Sequence, residues 1–219
     1  MSIKESISWT NMTLNPIKGR CKGGCWYCFY SGKRGIMNRF KHNPEIRLDL
    51  TVFDNLPKKP KKIFLCSTHD LFGDWIPGWY RDLIFTKVEE KFWHTFQILT
   101  KFPQNIDRDM PNNVHLGVTL DGIDPLDDIA KSWSLRDMKA KIKFYSFEPL
   151  IDPPCLKLLY IVDWVIIGKL TSYGKQFNPK KRWIEEIVDE YKSFDIPIFL
   201  KDNLKEIWGN DLIQEFPDV

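Results

Sequence analysis

Six short runs of continuous apolarity divide this sequence, and segments with helical spacing lie between them. The runs cover residues 62–67, 95–100, 114–119, 142–147, 164–168 and 198–201, and an earlier strand is expected around 8–14. Continuous rather than alternating apolarity marks strands covered on both faces, as a parallel sheet under helices requires. Helices are predicted at 77–92, 124–137 and 179–194. The first opens on Pro77 and carries Trp79, Leu83, Ile84, Val88 and Phe92; the second has Pro125 in its first turn; the third carries Trp183, Ile184, Ile187, Val188 and Tyr191 on one stripe. The alternation predicts an α/β fold with one domain over 1–219, including a loop at 19–30 and a short tail at 202–219. No glycine-rich dinucleotide fingerprint follows any run. That favours a partial (β/α)6-type TIM barrel of about six parallel strands over a doubly wound sheet.

A chain of 219 residues with 43% hydrophobic and 28% charged residues can bury a core without staples and is not a disordered or fibrous sequence. No apolar run is long enough to span a bilayer, and residues 1–10 carry no apolar signal region, so a cytoplasmic protein without membrane contact is expected. In that reducing compartment five cysteines are not a disulfide framework. Cys66 and Cys155 stand alone and read as small apolar residues rather than thiol donors. The net charge is only +3, yet residues 1–45 hold eight basic and two acidic residues, a local balance of +6. The lysine-rich stretch at 57–62 reads as an exposed turn feeding a strand.

In parallel α/β folds the ligand lies at the carboxyl edge of the sheet. Here those strand ends are polar: Ser67, Thr68 and Asp70; Thr100 and Lys101; Thr119 and Asp121; Ser146 and Glu148; Lys169; Lys201, Asp202 and Asn203. Any one of them is explained by a chain leaving the sheet and capping a helix. Six ends facing one rim would make a pocket. The histidines His42, His69, His94 and His115 are scattered, and His94 and His115 read as satisfied structural residues. Trp79 and Trp183 are expected in the outer core, whereas Trp26, Trp75 and Trp133 are free to stack on a base or on adenine.

The most specific feature is Cys21-Lys22-Gly23-Gly24-Cys25-Trp26-Tyr27-Cys28, a C-x3-C-x2-C spacing. Three thiolates on so short a loop converge on one centre. Gly23 and Gly24 let the backbone fold around it with N–H groups near the sulfurs. A structural zinc ion takes four protein ligands, and no fourth one is adjacent. A four-iron cluster held by three thiolates makes sense of the deficit, because one iron stays open to a cofactor or substrate.

This loop, with the aromatic Tyr27 before the third cysteine, resembles the signature of the radical S-adenosylmethionine superfamily. More of the chain is similar to the phage-associated three-Cys-motif proteins, a related group of unknown function. The resemblance covers about residues 8–205 and rests on Leu14-Asn15-Pro16-Ile17-Lys18-Gly19, Ser67-Thr68-His69-Asp70-Leu71-Phe72, Phe96-Gln97-Ile98-Leu99-Thr100-Lys101, Leu116-Gly117-Val118-Thr119, Ser146-Phe147-Glu148-Pro149-Leu150 and Asp163-Trp164-Val165-Ile166-Ile167-Gly168. One departure stands out. That group has a Gly-Gly-Glu-Ser-Gly type turn where this chain reads Gly168-Lys169-Leu170-Thr171-Ser172-Tyr173-Gly174. The acidic residue is lost and Lys169 enters, a change expected to favour an anion.

The resemblance implies a [4Fe-4S] cluster on Cys21, Cys25 and Cys28, with S-adenosylmethionine on the open iron. One electron from a donor such as flavodoxin or ferredoxin would cleave it to a 5′-deoxyadenosyl radical that attacks a substrate. Tyr27 is implied near the adenine. Ser67, Thr68 and Asp70 stand where relatives hold the methionyl amine with a glycine-rich turn. Thr100, Lys101, Thr119, Ser146 and Glu148 are implied as a group for the methionyl carboxylate, ribose and substrate. No further cysteine group follows Cys155, so no auxiliary cluster is expected. The basic N-terminal region points toward a nucleic-acid substrate, and a protein substrate is the other large one considered. Two rival readings are a non-catalytic iron–sulfur or zinc module that binds nucleic acid, and an activase that places a glycyl radical on a partner protein.

Overall fold

The computed structural model describes residues 7–171 and 175–218. Seven parallel strands form one sheet that curls into a half-barrel. They are β1 (Met12–Leu14), β4 (Lys62–Leu65), β5 (Thr95–Thr100), β6 (Val114–Thr119), β7 (Ile142–Phe147), β8 (Trp164–Ile167) and β9 (Ile198–Leu200). Each pairs with the next in this order, which also follows the chain. The seventh strand, β1, raises the expected count of six. The order never reverses, so no doubly wound crevice exists. Right-handed crossovers between sequential neighbours put every helix on the same face.

That face is the main core. Ile63, Leu65, Phe96, Ile98, Leu116, Val118, Tyr145, Phe147, Val165 and Ile167 point into it and meet the helices α2 (Gly78–Glu90), α3 (Pro125–Asp137) and α4 (Lys181–Lys192). The predicted stripe of α4 is buried in full: Trp183, Ile184, Ile187, Val188 and Tyr191. Burying each such side chain stabilises the fold by about 1.5–3 kcal/mol. Helix α2 corrects the prediction. Ile84, Phe85 and Val88 are buried, but Trp79, Leu83 and Phe92 are exposed. Trp79 packs on its neighbour Tyr80, with centroids 4.3 Å apart, instead of joining the outer core.

The opposite, concave face is narrower and aromatic. Trp9 precedes β1 and lies over Phe64, Phe144 and Trp164 in a cluster completed by Ile166 and Phe199. Gly117 leaves the space that Phe144 fills, since a Cβ there would stand 2.4 Å from its ring. Gln97 and His115 are register partners beside this cluster, and Gln97 donates to the Trp9 carbonyl at 3.4 Å. Gln97 and His115 thus bring polar groups to the bottom of the half-barrel, and both are buried. The segment after β9 also closes this end. It bonds back to β9 through Ile213 and Glu215, and the Trp164 indole N–H donates to the Glu215 carbonyl at 3.0 Å.

The sequence between β1 and β4 is an excursion with its own clasp. Strands β2 (Ile17–Lys18) and β3 (Arg47–Leu48) pair antiparallel and bring its two ends together. Arg20 N–H bonds the Pro44 carbonyl beside them. Gly19 has φ +100°, and a Cβ there would fall 2.0 Å from the Glu45 carbonyl oxygen, so the clasp admits only glycine at this position. The cysteines and the single-turn helix α1 (Ile36–Arg39) lie within the excursion.

Candidate site: the cysteine loop at the carboxyl edge

The excursion lays the cysteine loop across the carboxyl ends of β4, β5 and β6. Tyr27 fixes it there. Its hydroxyl donates to Asp121 Oδ2 at 2.5 Å, past the end of β6, and accepts from Lys101 Nζ at 2.7 Å, past the end of β5. Lys101 Nζ is also 3.6 Å from Asp121 Oδ2. Burial and the bond to Asp121 push the Tyr27 phenol far above its ordinary value, so it stays a donor.

Backbone N–H groups address two of the sulfurs from within the loop. Gly23 N–H reaches Cys21 Sγ at 3.5 Å and Ser31 N–H reaches Cys28 Sγ at 3.2 Å. Ser31 returns the tie, its hydroxyl accepting the Cys21 N–H at 3.0 Å. Burial pushes the Cys21 thiol up to about 11, and the negative charge of nearby Asp70, in the turn after β4, adds to the rise. Burial also raises Cys25, against the Lys101 charge, which pulls it down. All three cysteines are free and half-buried. Among the described residues, no three Cys, His, Asp or Glu side chains are already gathered as a metal-holding group.

The donor set nevertheless suits an iron–sulfur cluster. It offers three thiols, N–H donors aimed at sulfur and a cation beside Cys25. Gly24, at φ +71°, faces open space where its Cβ would stand. Trp75 packs under the loop, its ring 3.3 Å from the position of a Gly23 Cβ, with its indole N–H buried and unpartnered. Ligand sulfurs draw together against the metal that neutralises them, because site formation and metal binding are coupled.

The remaining predicted residues fall in two groups. Asp70 is wholly engaged in the turn after β4. Its carboxylate accepts from the Thr100 hydroxyl at 2.6 Å, Lys101 N–H at 2.7 Å and Phe72 N–H at 3.1 Å. Burial raises its pKa against those bonds. Ser67 and Thr68 both turn to Asn15: the Ser67 hydroxyl and the Thr68 N–H donate to Asn15 Oδ1 at 3.1 Å. The second group is further round the rim. Thr119 and Ser146 are buried register partners on β6 and β7, and Glu148 pairs with Lys201 beyond β9. Gly168 lies against that pair.

Lys169, the departure noted above, bonds Glu206 at 3.2 Å, on the short helix α5 (Lys205–Trp208), so its charge is already met within the chain. Ser172, Tyr173 and Gly174 of the same turn lie outside the described residues. Three further expectations need correction. Cys155 is exposed, while Cys66 is buried as expected. His94 and His115 are each left with one buried ring nitrogen that has no partner, and burial drives His115 down to about 4. Trp75 is packed beneath the loop, whereas Trp26 and Trp133 are exposed. Two participants went unrecognised in the sequence. Asn15 sits just after β1, and Ser31 follows Cys28 by three residues; neither belongs to a periodic pattern.

The fold and the site define an α/β half-barrel carrying a three-cysteine loop on its carboxyl rim. The chain belongs to the family described as Protein of unknown function (DUF5131), whose profile matches residues 4–211. No curated protein and no solved structure matches it. Among the described residues no helix is long and apolar enough to cross a membrane.

Proposed function

We propose that this chain is a radical S-adenosylmethionine enzyme built on part of a TIM-type barrel. One observation carries the reading. A C-x3-C-x2-C loop, with backbone N–H groups on its sulfurs, is pinned by Tyr27 to the carboxyl edge of a parallel half-barrel whose strand order never reverses. That edge is where parallel α/β folds do chemistry.

In this reading Cys21, Cys25 and Cys28 hold a [4Fe-4S] cluster. When bound and reduced by a one-electron donor such as a flavodoxin or ferredoxin, the cluster supplies the electron that cleaves S-adenosylmethionine to a 5′-deoxyadenosyl radical. The chain's own residues position and shield. Gly23 and Ser31 give N–H groups that stabilise charge on sulfur. Lys101 offsets the negative charge gathered near Cys25. Tyr27, locked between Lys101 and Asp121, presents a fixed ring face at the rim for adenine. Asp70 and Thr100 act by stiffening the turn under Cys21 rather than by binding the cofactor. Thr119, Ser146 and Glu148 remain as the rim groups for the methionyl carboxylate, ribose and substrate.

The test is anaerobic reconstitution with iron and sulfide, reduction with dithionite and addition of S-adenosylmethionine. The expected result is a brown protein holding four irons per chain that forms 5′-deoxyadenosine. Cys21→Ala, Cys25→Ala and Cys28→Ala should each abolish the product. A fully loaded protein that leaves S-adenosylmethionine intact, or a colourless one that takes up zinc alone, would refute the reading and favour a non-catalytic metal module.

A further inference from the structure

The excursion carries a second feature that the cofactor does not use. From Arg20 to Pro44 the sequence contains no acidic residue, yet holds Arg20, Lys22, Lys33, Arg34, Arg39 and Lys41. All but Arg20 are exposed. Elsewhere cations find carboxylates, as in Lys101–Asp121, Lys131–Asp127, Lys169–Glu206 and Lys192–Glu215. Lys22, Lys33, Arg39 and Lys41 have none among the described residues. Uncompensated positive charge gathered on one excursion is a field for a polyanion.

Large aromatic rings are interleaved with these cations. Trp26 is 44% exposed, Phe29 51% and Phe40 62%. Three partly exposed rings within fifteen residues, Trp26 lying also against Phe177 with centroids 5.0 Å apart, concentrate aromatic surface among the cations of this excursion. The Trp26 ring packs edge-on against Tyr27, with centroids 5.3 Å apart, at the mouth of the cysteine loop. Aromatic faces set among backbone-neutralising cations form the stacking platform that unpaired bases recognise. A lipid surface would want an amphipathic helix, and the only helix in the excursion is the four-residue α1. An acidic protein would use the cations but has no general need of the rings.

We infer that the exposed cations and rings of this excursion, Lys22, Trp26, Phe29, Lys33, Phe40 and Lys41, bind single-stranded nucleic acid and lead it to the cysteine loop. This names the substrate class of the enzyme proposed above and rests on that reading. The binding step itself is measurable without any turnover.

The experiment measures fluorescence anisotropy of labelled oligothymidylate and oligouridylate with the full chain, reconstituted without oxygen, over a range of salt. Four contacted phosphates predict a fall in log K of about 3 per tenfold rise in salt. Lys33→Ala with Lys41→Ala should about halve that slope. Phe29→Ala and Phe40→Ala should each weaken binding about five-fold or more and leave the slope unchanged, a separation that general unfolding would not give. Duplex of the same length should bind more weakly than the single strand. The inference is overturned if neither single strand binds at low salt, or if duplex binds equally well and the aromatic variants change nothing. It is also overturned if polyglutamate of matched charge displaces the oligonucleotide equally, or if anionic vesicles capture the chain while oligonucleotides do not. Formation of 5′-deoxyadenosine without nucleic acid, measured on the same preparation, tells failure of this inference from failure of the enzyme assignment.

Discussion

Replacing Asp70 with asparagine should cost far more than a change of one atom suggests. One carboxylate oxygen accepts the Thr100 hydroxyl and the Phe72 N–H, and the other accepts the Lys101 N–H. An amide offers one acceptor oxygen in place of two. If that oxygen keeps Thr100 and Phe72, the new NH2 group faces the Lys101 N–H, donor against donor. If the amide flips, its NH2 can donate to the second lone pair of the Thr100 hydroxyl, whose first takes Phe102 N–H at 2.9 Å, but the Phe72 N–H then faces a donor and is left without an acceptor. Either way one charge-assisted bond is lost, worth about 1.5–3 kcal/mol, and a buried N–H is stranded at about 1–3 kcal/mol. Burial disfavours the charged carboxylate, so removing the charge returns part of this. The net expectation for Asp70→Asn is roughly 2–4 kcal/mol, or about 5–15 °C in Tm for a chain of this size. Urea unfolding at constant m gives the number. Thr100→Val in a double-mutant cycle should show coupling of about 1 kcal/mol, because the two residues share a bond. A loss below about 0.5 kcal/mol, or strictly additive cycles, would refute the role given to this carboxylate.

Asp128 offers a pH test. Burial lifts its carboxyl from 3.8 to about 6; its Oδ1 accepts no hydrogen bond, and Lys131 Nζ, 3.7 Å away, pulls the other way without offsetting burial. The folded state therefore holds this proton more tightly than the unfolded chain. The contribution to stability is full below about pH 4 and fades as pH rises to about 6, by about 3 kcal/mol at most. Asp128→Asn should remove that slope, and chemical unfolding of both proteins across this pH range checks it; parallel profiles would refute it. Gly117→Ala should cost about 1–3 kcal/mol by urea unfolding, since the new methyl meets the Phe144 ring at 2.4 Å. Phe144→Leu should recover part of that loss. Lys201→Met strands the half-buried Glu148 and should cost about 1–2 kcal/mol, less when combined with Glu148→Gln; equal losses in the single and double variants would argue against the pair.

The parts of this fold written in periodic patterns were legible. The α4 stripe emerged as predicted because each of its apolar positions meets the sheet. Strands β5, β6 and β7 matched their apolar runs from end to end, since both faces of each are covered. Helix α2 misled because Trp79 lies at helical spacing yet on the solvent side, and Phe92 falls beyond the helix's end at Glu90. Residue type announced burial there, and tertiary contacts with Ile84, Phe85 and Val88 decided otherwise. The cysteine spacing was plain in the sequence, but the anchors of its loop were not. Asp121 stood among the polar strand ends, but its bond to Tyr27, like those made by Asn15 and Ser31, joins residues far apart in the chain and leaves no period. The turn after β4 was read as cofactor-facing. The Ser67 hydroxyl and the Asp70 carboxylate bond to the scaffold, as a backbone without regular hydrogen bonds demands.

The two outer strands of the sheet, β1 and β9, do not meet. What spans the gap is a row of rings, with Lys62 Nζ 3.6 Å from the Phe216 centroid and Phe216 against Trp164 on one side, and Trp9 against Phe64 on the other. Ring contacts tolerate sliding in a way that ladder bonds do not. The girth of the trough at its lower end is thus set by ring packing, where the rest of the sheet is set by its ladder. A bulky guest on the rim above would be accommodated by spreading the walls, with no need to unzip them.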